Sequence, residues 1–165
     1  MDFELNKTQK DIQKAVRDFT KGEFDKELAI ELENKHEFPK KAWQKACDLG
    51  LIGVHFPEEY SGQGLGCLED ILVVEELCRG DSTMGSAVAL SSFASELIMH
   101  WGSDEMKQKY LPAVAEGQML SAGAFTEPDH GSDITVMNTT ADKDGDEWVV
   151  NGTKTFITNG GLAGF

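Results

Sequence analysis

Apolar residues recur at intervals of three and four along most of the chain and then give way to alternation, which predicts helices followed by strands. Leu5, Ile12, Ala15, Val16 and Phe19 outline a first amphipathic helix, N-capped at Asn6 or Thr8 and ending near Gly22. Residues 24–35 give a weaker, acid-rich helical stretch. Phe38-Pro39 opens a third helix, with Pro39 in the first turn where a missing N–H is harmless. Ala42, Trp43, Ala46 and Leu49 form its apolar face, and Gly50 supplies a left-handed stop. Leu68, Ile71, Leu72, Val74 and Leu77 mark a fourth helix that stops at Gly80. Asp81-Ser82-Thr83 caps a fifth over 84–101, in which Glu96 and His100 are the charged or titratable positions, so burial on most sides is expected. Its many small residues suit close packing against another helix, with a ligand wall as the second reading. Ser103 caps a sixth, with Asp104 and Glu105 in its first turn, Pro112 inside it and Glu116-Gly117 at its end.

From Met119 onward the period changes. Residues 120–126 read as a strand, 127–133 as a polar loop and 135–141 as a second alternating segment. Lys143-Asp144-Gly145-Asp146 turns the chain into a return strand over 147–150. Asn151-Gly152 is a strong hairpin signal and would pair 148–150 with 155–157. The fold class is therefore α+β, with an all-helical domain over 1–119 and a β-structured segment over 120–165.

Composition narrows the function. With 40% hydrophobic residues in 165, the chain can bury a core. A formal net charge of −14 argues against a nucleic-acid partner, which needs clustered cations. No apolar run approaches the ~20 residues of a membrane span. The N-terminal stretch lacks the pattern of a signal peptide and is too acidic and Arg-poor for a transit peptide, although a mature form could have lost one, which would place a eukaryotic protein in the mitochondrial matrix. Cys47, Cys67 and Cys78 are odd in number and widely spaced, which points to reduced thiols and a cytoplasmic setting rather than to a disulfide framework or zinc. Gly62, Gly64 and Gly66 alternate, but the spacing is not that of a dinucleotide fingerprint, and no buried strand precedes them. A flexible turn before a helix is the better account.

Candidate chemistry concentrates after Leu120. Thr126, Ser132, Thr155 and Thr158 offer hydroxyls, while Gly123, Gly131 and Gly160 allow close approach to backbone N–H groups. Phe156 adds an aromatic face. Neutral donors beside an aromatic wall suit a flat, hydrogen-bonding cofactor and its phosphates. They do not suit a metal, and His36, His55, His100 and His130 are scattered.

Ala124-Phe125-Thr126-Glu127-Pro128 with Gly131-Ser132-Asp133, then Asn151-Gly152-Thr153-Lys154 and Phe156-Ile157-Thr158-Asn159, closely resembles the acyl-CoA dehydrogenase family. The helical part is also similar, through Pro57-Glu58-Glu59-Tyr60 with Gly62 and Lys107-x-Lys109-Tyr110-Leu111-Pro112. The resemblance implies an N-terminal helical bundle followed by the first strands of a β-barrel-like middle domain, incomplete here. It implies FAD as cofactor, with Gly123, Ala124, Phe125, Thr126, Ser132, Phe156, Ile157 and Thr158 around it. Phe125 and Thr126 would meet the pyrimidine end of the flavin, Ser132 its pyrophosphate and the CoA of the substrate. Phe156 would cover one flavin face, and Thr158 would hydrogen-bond near N5. Ser86 and Leu90 would line the acyl pocket.

The implied reaction is α,β-dehydrogenation of an acyl-CoA thioester, with hydride passing to flavin N5 and electrons to an electron-transfer flavoprotein. The family's catalytic glutamate belongs to a C-terminal helical domain, so no catalytic residue is expected in this chain and Glu127 is not assigned that role. The chain alone is expected to be inactive, and the complete protein to be a homotetramer or homodimer. No Arg follows Arg79, which disfavours a dicarboxylic acyl substrate. The alternatives are an acyl-CoA oxidase or nitroalkane oxidase on the same fold, and a non-catalytic interaction module.

Overall fold

The computed structural model describes residues 4–165; residues 1–3, at the start of the stretch read above for a leader, lie outside the described residues. Seven α-helices occur among the described residues: α1 (Lys7–Glu23), α2 (Lys26–Lys35), α3 (Lys40–Asp48), α4 (Cys67–Gly80), α5 (Ser82–Ala89), α6 (Ser95–Trp101) and α7 (Asp104–Ala115). Two strands follow, β1 (Thr140–Asp144) and β2 (Glu147–Asn151), so the α+β class holds.

Helix starts follow the capping residues, which satisfy N–H groups that have no partner inside the helix. Asn6 accepts the Gln9 N–H at 2.9 Å, and Gln9 returns a bond to the Asn6 N–H, closing a capping box on α1. Asp81 accepts from Thr83 and Met84 at the start of α5, and Ser103 from Met106 at the start of α7. Gly50 and Gly117 take left-handed backbone angles just after α3 and α7, at φ +68° and +71°.

The apolar faces meet in one main core. Val16 and Phe19 of α1, Trp43 and Ala46 of α3, Val73 and Leu77 of α4, Val88 of α5, and Leu111 and Val114 of α7 close around Phe56. Into this core α4 also brings Glu76, whose side chain is fully buried. Arg17 of α1 grips it through two bonds of 2.7 and 2.6 Å, and this contact holds the Glu76 carboxyl below its ordinary range. The loop between α3 and α4 is pinned rather than loose. Gly64 donates to the Phe56 carbonyl at 2.9 Å and Leu65 to that of Val54 at 3.1 Å. A Cβ on Gly62 would overlap the Phe56 carbonyl, so packing alone accounts for this glycine.

Three expectations are corrected. The single fifth helix over 84–101 is instead two, α5 and α6, parted by a 3-10 turn at Leu90–Ser92. Ser121 explains the break: its N–H donates to the Ser91 carbonyl at 2.9 Å, and its hydroxyl accepts from the Ala94 N–H at 3.2 Å. A serine-rich, weakly helical stretch thus exchanges internal hydrogen bonds for bonds to the later segment. Nor is this stretch buried on most sides, because Leu90, Phe93, Leu97 and Trp101 are exposed. Gly85 does pack closely, since a Cβ there would sit 2.5 Å from the Leu77 carbonyl of α4.

The strand pattern is also sparser than the alternation predicts. Residues 120–126 run extended without joining a ladder, apart from an isolated parallel bridge between Leu120 and Ala163. The 135–141 segment begins as a 3-10 turn at Ile134–Val136, and only its end enters β1. The hairpin turns at Gly145 (φ +62°), pairing Thr140 with Asn151 through to Asp144 with Glu147. Asn151-Gly152 makes no hairpin and 155–157 is no strand. The turn expected at Asp144-Gly145 is thus the one that forms, while Gly152 is needed where a Cβ would overlap Thr139.

Candidate functional site

Residues 120–165 have no apolar core of their own, and a buried ion pair organises them instead. Glu127 is 4% exposed. Its carboxylate accepts the N–H groups of Asn138 at 2.6 Å and Thr139 at 2.9 Å, and the Lys154 ammonium at 2.8 Å. The hydrogen bond from Lys154 is the largest cause holding this carboxyl at about 2, with Thr139 next. A carboxylate so fully supplied with donors is a fixed structural anion and a poor proton acceptor.

Lys154 also donates to the Phe125 carbonyl at 3.2 Å, and the Thr155 N–H donates to the Thr126 carbonyl at 3.0 Å. The Thr-Glu-Pro turn and the Asn-Gly-Thr-Lys segment, distant in sequence, therefore lie side by side. Asn159 adds a second tether, its amide donating to the carbonyls of Leu90 at 2.8 Å and Ser121 at 3.1 Å. The roles of Glu127, Lys154, Asn138 and Asn159 escaped sequence reasoning. For Glu127 and Lys154 the available signal was one acid and one base embedded in two otherwise neutral motifs.

The seven residues around this junction are presented as follows. Gly123 is buried, and a Cβ there would reach 2.5 Å from the Phe125 ring and 3.1 Å from that of Phe93. Those two rings pack edge to face with centroids 5.9 Å apart. Ala124 is exposed, while Phe125 and Thr126 are half-buried. The backbone N–H groups of 123–126 donate to no acceptor among the described residues, and the hydroxyls of Thr126 and Thr158 are likewise unengaged. Phe156 is 91% exposed with left-handed backbone (φ +55°), Ile157 is half-buried, and Thr158 is exposed. A row of free donors thus lies beside an aromatic ring that faces outward, which is the donor set a flat heteroaromatic ring with carbonyl edges would take. Ser132 is different: it is exposed on the 128–133 loop, and no hydrogen bond joins it to the junction.

Ser86 and Leu90 face a separate open cavity of about 310 Å³ between α4, α5 and α6. The Ser86 hydroxyl lies 3.7 Å from the Cys78 sulfur, and the Leu90 carbonyl takes the bond from Asn159. His55, Asp70 and Glu96 line the same cavity. His55 Nδ1 is 3.1 Å from Asp70, and Nε2 is against Glu96. The contact with Asp70 is the largest cause raising the His55 pKa above 6.5, against the opposing effect of burial. The two carboxylates meet opposite ring nitrogens, so the three groups do not converge on one ion.

Residues 6–118 match the family model for the N-terminal domain of acyl-CoA dehydrogenases, and 122–165 match the model for the middle domain. The chain is 39% identical to the short-chain-specific acyl-CoA dehydrogenase of Clostridium acetobutylicum, over 99% of this chain and 43% of that protein. It is 37% identical to the NADH-dependent acryloyl-CoA reductase of Anaerotignum propionicum, over 99% of this chain and 42% of that protein. The crystal structure of a glutaryl-CoA dehydrogenase from Mycobacterium smegmatis in complex with FADH2 superposes with a TM-score of 0.86 at 34% identity, covering 96% of this chain and 41% of that one. The chain thus spans 42 to 43% of the length of these two curated relatives. By the match of both domain models in order, the chain belongs to the acyl-CoA dehydrogenase family.

Proposed function

We propose that this chain forms the helical domain (1–119) and the first part of the middle domain (120–165) of an FAD-dependent acyl-CoA dehydrogenase, which removes hydrogen from the α and β carbons of an acyl-CoA thioester. One observation carries the reading: the Glu127–Lys154 pair draws two motifs together and leaves the N–H groups of 123–126 unengaged beside an outward-facing Phe156. When bound, FAD supplies the two-electron acceptor that the reaction needs.

The chain's own residues bind and orient. The N–H groups of Phe125 and Thr126, with the Thr126 hydroxyl, would hold the carbonyl edge of the ring. The free Thr158 hydroxyl would donate near its reactive nitrogen, and Phe156 would cover one face and exclude water. Fixed donors of this kind favour the electron-rich reduced ring without reorganising. Gly123, Ala124 and Ile157 contribute backbone and close approach. Ser132, on its exposed loop, would reach the pyrophosphate and the CoA moiety, while Ser86 and Leu90 would wall the acyl group.

Glu127 is not suited to remove the α proton. Glu127 is held by three donors, and the base is the glutamate of a further domain in relatives of this architecture. An electron-transfer flavoprotein as acceptor and a homotetrameric or homodimeric assembly complete the reading.

The test uses the polypeptide that carries this chain, purified and supplied with FAD. It should retain a yellow, protein-bound flavin whose visible absorbance falls on anaerobic addition of butyryl-CoA or hexanoyl-CoA. A folded protein that binds no flavin, or whose flavin ignores every acyl-CoA, overturns the proposal. Rapid reoxidation by oxygen instead of by an electron-transfer flavoprotein would reassign it as an oxidase.

A further inference from the structure

The cavity between α4, α5 and α6 has two unlike ends. Along α4 its lining runs from Asp70, beside His55 and Glu96, through Val74 to Cys78, beside Ser86; Ala89, Leu90, Ser92 and Phe93 complete it. The His55 side chain is 13% exposed, and both ring nitrogens are buried. Asp70 and Glu96 each meet the imidazole through a single oxygen, so each keeps lone pairs for another donor. Both carboxylates remain partly accessible, and the other oxygen of Glu96 lies 3.7 Å from His100 Nε2.

Two carboxylates against one imidazole leave this end net negative even when His55 is protonated. Neither Lys nor Arg lines the cavity. A carboxylate arriving here would be desolvated without a partner, and a methyl group would desolvate the polar wall without returning a bond. A donor would satisfy the free lone pairs.

We propose that His55, Asp70 and Glu96 form a polar end wall that selects acyl-CoA thioesters whose far end carries an ammonium or hydroxyl donor. The inference rests on the reading of Ser86 and Leu90 as the wall of the acyl pocket. It assigns substrate selection to residues that touch neither the junction of the two motifs nor the reacting carbons.

The experiment takes the FAD-loaded polypeptide that carries this chain and matched six- and eight-carbon acyl-CoA thioesters. These end in an amino, hydroxyl, methyl or carboxylate group, with butyryl-CoA as the reference. Donor-ended substrates should exceed methyl-ended ones in kcat/KM by about tenfold or more, with carboxylate-ended ones poorest. Glu96→Gln conserves shape, and Asp70→Asn is the second variant should the first fail to hold flavin. In either, the preference for the ammonium over the methyl end should fall toward one. A methyl preference in the unmodified protein, or a donor preference unchanged in both variants, overturns the proposal. Bleaching by butyryl-CoA but by no donor-ended thioester sinks this inference alone. A bound flavin indifferent to all the thioesters, butyryl-CoA included, sinks the acyl-CoA reading and this inference with it.

Discussion

The helical part and the segment that follows it are held together by opposite means. In α1 to α7 the apolar faces close on Phe56, Leu77 and Leu111, each fully buried, and side-chain caps finish several of the helix ends. In 120–165 both strands are exposed along their whole length, and Trp148, Val150 and Phe156 face outward. Leu120 and Phe165 anchor that segment on the helical core, and within it the ties are polar: Glu127 with Lys154, and Asn159 with the carbonyls of Leu90 and Ser121. A two-stranded hairpin without a buried face has little stability of its own. The difference teaches that the helical part is a scaffold in its own right, while the β segment is a surface prepared to be covered.

Truncating the scaffold should have the largest effect. Leu111→Ala removes a fully buried side chain from α7 and should lower stability by about 3 kcal/mol, read as a shift in the denaturant midpoint of helical circular dichroism. Lys154→Met should leave that midpoint almost unchanged yet weaken flavin binding by about a hundredfold, since it strands the Glu127 carboxylate and loosens the Phe125–Thr126 backbone. A Lys154→Met protein that lost helical stability but kept its flavin would erase the contrast. Gly62→Ala forces a methyl into the Phe56 carbonyl and should cost about 2 kcal/mol in the scaffold, measured the same way.

Acid should separate the two regions further. The Glu127 carboxyl titrates at about 2 in the folded chain, below its ordinary 4.5. Its stabilisation is therefore complete above 4.5 and is lost as the pH falls from there toward 2. His55 runs the other way: its raised pKa gives stabilisation present below 6.5 and lost as the pH rises through the folded value. Protection factors at 138, 139 and 155, corrected for the slower intrinsic exchange of amides in acid, should thus fall as the pH drops from 4.5 toward 2. The smallest effect concerns thiols. Burial pushes the Cys47 thiol up to about 12, while Cys67 is exposed, so iodoacetamide at pH 8 should label Cys67 and spare Cys47 until the core unfolds.

The sequence made the helical half readable because its signals are local. Asn6, Asp81 and Ser103 cap, Gly50 and Gly117 stop, and the apolar spacing points inward. What escaped was long-range. The break between α5 and α6 depends on Ser121, about thirty residues away, whose hydroxyl competes for the helix's own hydrogen bonds. The hairpin turning at Asp144-Gly145 was legible and forms, whereas the second one expected at Asn151-Gly152 does not, because Gly152 packs on Thr139. In the candidate site, Thr126 and Thr158 were legible as motif residues, whereas the charge pair that brings their segments together was not. Pairing of Glu127 with Lys154 is a property of the folded chain.

Amide hydrogen exchange, measured on the polypeptide that carries this chain with and without FAD, tests the central claim most directly. The N–H groups of 123–126 have no acceptor among the described residues, so bound flavin should slow their exchange strongly and leave α1 and α3 unchanged. Unaltered exchange at 123–126 under saturating FAD, or protection confined to the helices, would contradict the account.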